Sequence, residues 1–296
     1  MNPSDRSGLI YILTSVTGFA LIPIWVKSMQ AAGMGSLDIL VWRYLLAMAL
    51  FWGLIRLRRM PVTGNLPRKG LFGMGALLGI GALMGVYGLE RLPAGTLVVL
   101  FYTYPAMVAV LAALMGERLT GRGWAALALT TVGVVLTVPD FGAGLSSESM
   151  TGVLLTLGNA FIVAIYFIVN GRLLRGQRDF ARTSAWGITG SFAMLAVLAL
   201  VLRNVQSPPN ADISLRLLLL ASISTVMPIF FLNMGIQRIG PARAAISGTV
   251  EPILTLIFAA LFLGEGMLPV QLIGGGLILA SVVLLQIPSR RKSIPS

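Results

Sequence analysis

Apolar residues in this chain run in long unbroken blocks. They do not alternate with polar residues at the period of a half-buried strand, and the blocks end at short clusters of glycine, proline and charge. A helix needs about 20 apolar residues to cross the hydrocarbon of a bilayer. Ten stretches approach or reach that length, at about residues 8–29, 37–57, 69–89, 93–115, 122–139, 150–174, 183–202, 214–238, 241–263 and 268–287. The third and fourth are separated by Glu90-Arg91-Leu92-Pro93 alone. That is enough, because two charges are costly in hydrocarbon and a proline suits the first turn of a new helix. Gly240-Pro241 divides the eighth from the ninth in the same way. The pattern predicts an all-α membrane protein of ten transmembrane helices.

Composition agrees. The 296 residues are 56% hydrophobic and 11% charged, whereas a soluble domain carries about 25% charged residues. The net charge of +12 does not point to nucleic acid, because the basic residues sit in the short loops. With the N-terminus inside, Arg6, Arg56, Arg58, Arg59, Arg68, Lys69, Arg118, Arg122, Arg172, Arg175, Arg178, Arg182, Arg238, Arg243, Arg290, Arg291 and Lys292 all fall on the cytoplasmic side. This bias predicts cytoplasmic N- and C-termini in a multi-pass inner-membrane protein, with tails 1–7 and 288–296. The first apolar block, Gly8 to Met29, is too long for the apolar core of a signal peptide.

There is no cysteine and no histidine. Thiolate metal sites, Ser-His and Cys-His nucleophile pairs and imidazole proton shuttles are therefore excluded, and no metal or cofactor is expected. No Gly-x-x-x-x-Gly-Lys-Ser/Thr occurs, so direct use of ATP is not expected.

Two stretches match at a spacing of about 147 residues. Gly88-Leu89-Glu90-Arg91-Leu92 leads to Pro105 and then Gly116-Glu117, while Gly235-Ile236-Gln237-Arg238-Ile239 leads to Pro252 and then Gly264-Glu265. Val132 to Leu136 answers Ala280 to Leu284 after one insertion. Each repeat then holds five helices, 8–139 and 150–287, and an odd number forces the halves into opposite orientation. Inverted repeats are usual in secondary transporters, with the substrate held between the repeats near the midplane. The same residues resemble the drug/metabolite transporter (DMT) superfamily in its EamA-type ten-helix branch. A helix with a central proline ends in Gly-Glu about a dozen residues later, twice over, and Trp42-Arg43-Tyr44-Leu45-Leu46-Ala47 resembles the second-helix arginine motif. Within that family the chain is similar to YddG-like amino-acid exporters. The resemblance implies a basket of ten helices around a central cavity, lined mainly by helices 3, 4, 8 and 9 with help from 1 and 6. Helix 7 has no counterpart to Arg43, so any role for that arginine is one-sided.

Candidate binding residues are the polar and aromatic groups within spans, each of which must be satisfied or face a wet cavity. Glu251 is mid-helix and shares one face with Ser247 and Thr255. It could accept a substrate amino group, bind and release a coupling proton, or serve packing alone. Thr156, Asn159, Tyr166 and Asn170 form a stripe on helix 6, and Ser222, Asn233 and Gln237 lie on helix 8; each could be ligand contact or helix glue. Tyr87, Tyr102, Tyr104 and Trp25 could wall a cavity for amphipathic solutes, with Trp25 equally suited to the interfacial belt. Tyr104 takes the repeat position of Glu251. Pro105 and Pro252 each cost one helical hydrogen bond, freeing the carbonyls of Phe101 and Gly248, and are candidate hinges. Arg43 could meet a substrate carboxylate, pair with Asp38 or snorkel to the outer surface.

The expectation is an exporter of small amphipathic metabolites, foremost aromatic or other apolar amino acids, working by alternating access. Its partners would be the solute, membrane lipid and protons, with no nucleic acid, and the chain would act as a monomer. A phosphate-ester or nucleotide-sugar exchanger would call for two or more deep basic residues, and only Arg43 qualifies. An intramembrane enzyme lacks a base for Ser247 and a second mid-membrane acid. A channel would show a filter motif or charge rings, and neither is visible.

Overall fold

The computed structural model describes residues 3–60, 65–116, 121–137, 146–173, 179–202, 205–239 and 247–286. Side chains at 170 and 237, among a few others, lie outside that description, as do Glu117 and Pro241, so the roles expected of Asn170, Gln237 and the first Gly-Glu pair fall partly or wholly beyond it. Among the described residues all regular structure is helical. The helices are α1 (Pro3–Ala20), α2 (Ile22–Ala31), α3 (Ser36–Leu57), α4 (Arg68–Leu89), α5 (Ala94–Phe101), α6 (Tyr104–Leu114) and α7 (Gly121–Thr137). They continue as α8 (Ser147–Leu173), α9 (Phe180–Leu202), α10 (Ala211–Ala221), α11 (Met227–Ile239), α12 (Glu251–Phe258) and α13 (Pro269–Gln286). A π-helical turn, Ser222–Val226, joins α10 to α11, and a second, Ala259–Leu263, extends α12.

Seven of the resulting helical stretches are long and apolar enough to cross a membrane: Arg6–Ala31, Ser36–Leu57, Arg68–Leu89, Ala94–Leu114, Ser147–Val169, Phe180–Leu202 and Ala211–Ile236. Three shorter apolar helices, Gly121–Thr137, Glu251–Leu263 and Pro269–Leu285, accompany them. The chain is a multi-pass membrane protein, and each of these segments overlaps one of the expected apolar blocks, the ninth only from Glu251 on. Differences from the sequence reading are internal to the segments. Leu21 is a turn separating α1 from α2, because Pro23 cannot donate to the carbonyl of Phe19. The fourth block is two helices rather than one kinked helix, parted by a turn at Tyr102-Thr103.

With the segments numbered in chain order, α1 packs on α11, α4 on α8 and α9, and α3 on α9 and α10. The helices α5 and α6 lie on α8, α1 and α5 on α12, and α7 on α13. Exchanging each segment for the one five places along converts this set of pairings into itself. Small residues make the closest seams. A Cβ at Gly75 would lie 1.9 Å from the Gly187 carbonyl oxygen and one at Gly190 would lie 2.0 Å from that of Phe72, so α4 and α9 meet backbone to backbone. Gly133 and Gly274 do the same for α7 and α13.

One end of the bundle is laced by polar contacts. Lys27 pairs with Glu265, whose other oxygen accepts the Ala94 backbone N–H at 2.6 Å and so caps α5. Ser36 donates to Glu90, Gln30 donates to Ser36 at 2.8 Å, and Asp38 accepts the Gln206 N–H at 3.0 Å. At the opposite end Arg182 pairs with Asp179 at 2.8 Å and reaches the Met60 carbonyl.

Candidate functional site

Two helix breaks face each other inside the bundle, and proline explains both. The fourth segment halts at Phe101, turns at Tyr102-Thr103 and restarts at Tyr104-Pro105. The ninth turns at Thr249-Val250 and restarts at Glu251-Pro252. Each proline lacks the N–H that would bind the carbonyl four residues back, so those of Phe101 and Gly248 lose their helical partner. Both segments also end alike, at a glycine in the left-handed region: Gly116 (φ 98°) and Gly264 (φ 66°).

The tyrosine of one break answers the carbonyl of the other. Tyr102 is buried, and its hydroxyl hydrogen is shared between the freed Gly248 carbonyl at 3.2 Å and Oε2 of Glu251 at 3.1 Å. The Glu251 carboxylate thus receives a phenolic O–H at a point where the neighbouring backbone is not helical. Thr255, fully buried, donates back to the Glu251 carbonyl at 3.1 Å, so its hydroxyl serves the helix and not the face it shares with Glu251.

Aromatic rings adjoin Tyr102. Tyr104 stacks on Phe167 of α8 (5.2 Å between centroids, 15° between planes) and lies 5.4 Å from Phe101 and 5.9 Å from Tyr102. Tyr166 meets Phe167 edge-on at 6.2 Å. Thr103, between the two tyrosines, is 2% exposed and its hydroxyl has no partner among the described residues, an uncompensated polar group at the edge of the cluster.

Other candidates lie elsewhere. Asn159 sits over the glycine face of α4, where a Cβ at Gly81 or Gly85 would come within 2.9 or 2.7 Å of its amide. Thr156 lies one turn away, against Gly88, and donates to its own helix at Gly152. That half of the helix 6 stripe therefore faces α4, while Tyr166 belongs to the aromatic cluster. Trp25 is half-buried and packs against the main apolar core, with its indole N–H buried and unpartnered among the described residues. No hydrogen bond or ring pair among the described residues joins Trp25, Tyr87 or Asn233 to Glu251; Tyr87 offers its carbonyl to Arg91 at 2.7 Å. Ser247 stands one turn before Glu251, and its carbonyl accepts the Val250 N–H at 3.4 Å. An open groove of about 370 Å³ between α1 and the π turn, bordered by Ile10, Leu13, Gly18 and Met227, is apolar and touches none of the candidates.

Sequence reasoning missed Phe101 and Phe167, which carried no signal beyond being apolar, and the capping of α5 by Glu265. Arg43 does not pair with Asp38: its Nε donates to Thr225 of the π turn at 3.0 Å, and Asp38 is held by Gln206.

Comparison with known proteins places these features. The EamA-like transporter family matches residues 6–138 and again 150–287. The uncharacterized transporter YcbK of Bacillus subtilis is 28% identical over 91% of this chain and 89% of its own length. A protein of Streptantibioticus cattleyicolor described as "Probable terminal-alkyne amino-acid exporter" is 26% identical over 94% and 91%. A crystal structure 17% identical in sequence superposes with a TM-score of 0.65, covering 94% of this chain and 96% of its own, which is a likeness of fold.

Proposed function

The chain belongs to the EamA-like transporter family, and we propose that it exports small amphipathic metabolites, amino acids with aromatic or other apolar side chains foremost, across the inner membrane by alternating access. The observation that carries this is the Glu251 carboxyl, bonded by Tyr102 at two facing helix breaks and walled by Phe101, Tyr104 and Phe167. A carboxylate beside an aromatic wall suits a solute with an ammonium group and an apolar body. The alkyne amino-acid exporter among the relatives supports the same class.

The architecture proposed is ten membrane-spanning helices in two inverted five-helix halves, 8–139 and 150–287. The family's double match, the self-mapping set of helix pairings and the paired breaks at Tyr104-Pro105 and Glu251-Pro252 all support it. With both termini cytoplasmic, the laced end of Lys27, Glu90 and Glu265 is the outer one. Export then requires the Lys27–Glu265 tie to open, with Pro105 and Pro252 as the points about which helices 4 and 9 bend. Glu251 either holds the solute's ammonium group directly or exchanges a proton for it. A phosphate ester gains little support, since it would call for two or more deep cations and Arg43 alone is a buried lysine or arginine among the described residues.

The test is counterflow of labelled amino acids into proteoliposomes, wild type beside Glu251→Gln, at two imposed pH gradients. Exchange of phenylalanine or leucine by wild type and its loss in the variant is the expected result, and sensitivity to the gradient adds proton coupling. Transport of a phosphorylated or drug-like solute instead, with no amino acid moved, overturns the cargo assignment.

A further inference from the structure

Arg43 is a buried cation that its surroundings do not neutralise. It lies on the face of α3 that continues through Ala47, Phe51 and Ile55 into the apolar seam with α9 and α10, and only 8% of it is exposed. Its one hydrogen bond to the described protein is Nε to Thr225 Oγ1, and the Thr225 hydroxyl in turn donates to the Leu220 carbonyl five residues back at 2.8 Å. The ion pairs among the described residues are Lys27–Glu265, Arg91–Glu90, Arg182–Asp179 and Arg216–Asp212; none includes Arg43. Asp38, the acid nearest in sequence, accepts the Gln206 N–H instead. The Tyr44 ring lies beside it, with Cζ 5.4 Å from its centroid. Next to Thr225 in sequence, the hydroxyl of Ser224 is fully buried and lacks a partner among the described residues.

An arginine deep in an apolar bundle is costly unless something pairs with it. Its planar fork still has both amino groups to offer, a geometry that matches a carboxylate. Depth fits as well. Thr225 falls near the middle of the stretch Ala211–Ile236, as Tyr104 does in Ala94–Leu114, so the Arg43 brace and the tyrosine break each sit about midway along their segments.

We propose that Arg43, braced by Thr225 with Ser224 beside it, binds the carboxylate of the transported solute. This rests on the transporter reading above and deepens it: the cargo class narrows to carboxylic acids, and the binding residue for the acid group stands in the first half only. The π turn supplies the brace, since its widened loop turns Thr225 towards α3.

Uptake of L-phenylalanine and of L-phenylalaninamide, which lacks the carboxylate, tests this in wild type, Arg43→Gln and Arg43→Lys. Wild type should prefer the acid by at least about tenfold. Arg43→Gln should lose that preference because acid uptake falls while amide uptake holds, and Arg43→Lys should keep part of it. A retained acid-to-amide ratio in Arg43→Gln overturns the proposal, as does equal loss of both solutes reproduced in Arg43→Lys, which marks a packing role. Should wild type move neither solute, the amino-acid reading falls, and thermal unfolding of the purified protein decides this inference separately. Phenylacetate should then raise the Tm of wild type and phenylacetamide should not, with no rise in Arg43→Gln; equal effects of the two probes on wild type overturn it.

Discussion

The breaks in the fourth and ninth segments have one mechanical design and two chemistries. Tyr102-Thr103-Tyr104-Pro105 and Thr249-Val250-Glu251-Pro252 interrupt their helices at matching places, and each segment closes on a left-handed glycine. The residue before the proline differs: Tyr104 extends an aromatic stack onto Phe167, while Glu251 brings a carboxyl. Proline sets where the backbone opens, because the missing N–H acts whatever its neighbour. The neighbour sets which side chain the opening presents. Two breaks can therefore share one backbone geometry while only one of them carries a carboxyl.

The sharpest way to break this comparison is to equalise the chemistry. Glu251→Gln should reduce amino-acid counterflow on the order of 100-fold, the scale on which a buried charge partner is lost. Tyr104→Phe, which keeps the ring stacked on Phe167, should stay within about threefold of wild type if the tyrosine acts through its face. Comparable losses in both would deny the division of labour.

Next in size is Tyr102→Phe. Removing the hydroxyl leaves the freed Gly248 carbonyl without its cross-helix donor, which should cost about 1–3 kcal/mol of stability. A fall in Tm together with slower transport is expected; an unchanged Tm would mean that the Gly248 carbonyl finds another partner.

The prolines come third. Pro105→Ala and Pro252→Ala each allow one helical bond to form, and both should slow exchange by several-fold if bending at the breaks limits the cycle. The larger effect is expected at Pro252, where the restored bond also takes Gly248 away from Tyr102. Exchange rates unaffected by either substitution would remove the hinge assignment.

The smallest effect concerns the end of the bundle. Lys27 and Glu265 are both about one-fifth exposed, so Glu265→Gln should cost only about 1 kcal/mol in stability. Because Glu265 also caps α5, the substitution should loosen α5 specifically. The absence of native cysteine permits a single cysteine at Thr96 to report this by faster labelling. Equal labelling in the parent and the Glu265→Gln background would show that the tie does not govern access.

The apolar blocks and their interruptions were legible in the sequence. The ends of α3, α4 and α9 fall within a few residues of the expected blocks, and the turn at Glu90-Arg91 lies where those two charges end the third block. The candidate site was legible in part. Glu251, Tyr102 and Tyr104 stood out as polar or amphipathic groups in mid-span, and they do meet. Thr156 and Asn159 stood out for the same reason and turn instead to the glycines of α4, because a helical stripe gives a direction around one axis and not the identity of the helix opposite.

What the sequence determined by itself are properties carried by a few neighbouring residues: apolar length, which selects lipid as the solvent; missing N–H groups at proline, which open the helix; glycine at left-handed positions, which ends it. The tertiary structure alone decided who meets whom. Tyr102 on Glu251, Tyr104 on Phe167, Arg43 on Thr225 and Lys27 on Glu265 join residues 149, 63, 182 and 238 positions apart. Such pairs depend on how helices cross, and the crossings are set by small-residue seams such as Gly75 against Gly187, whose partner is invisible until the backbones are brought together.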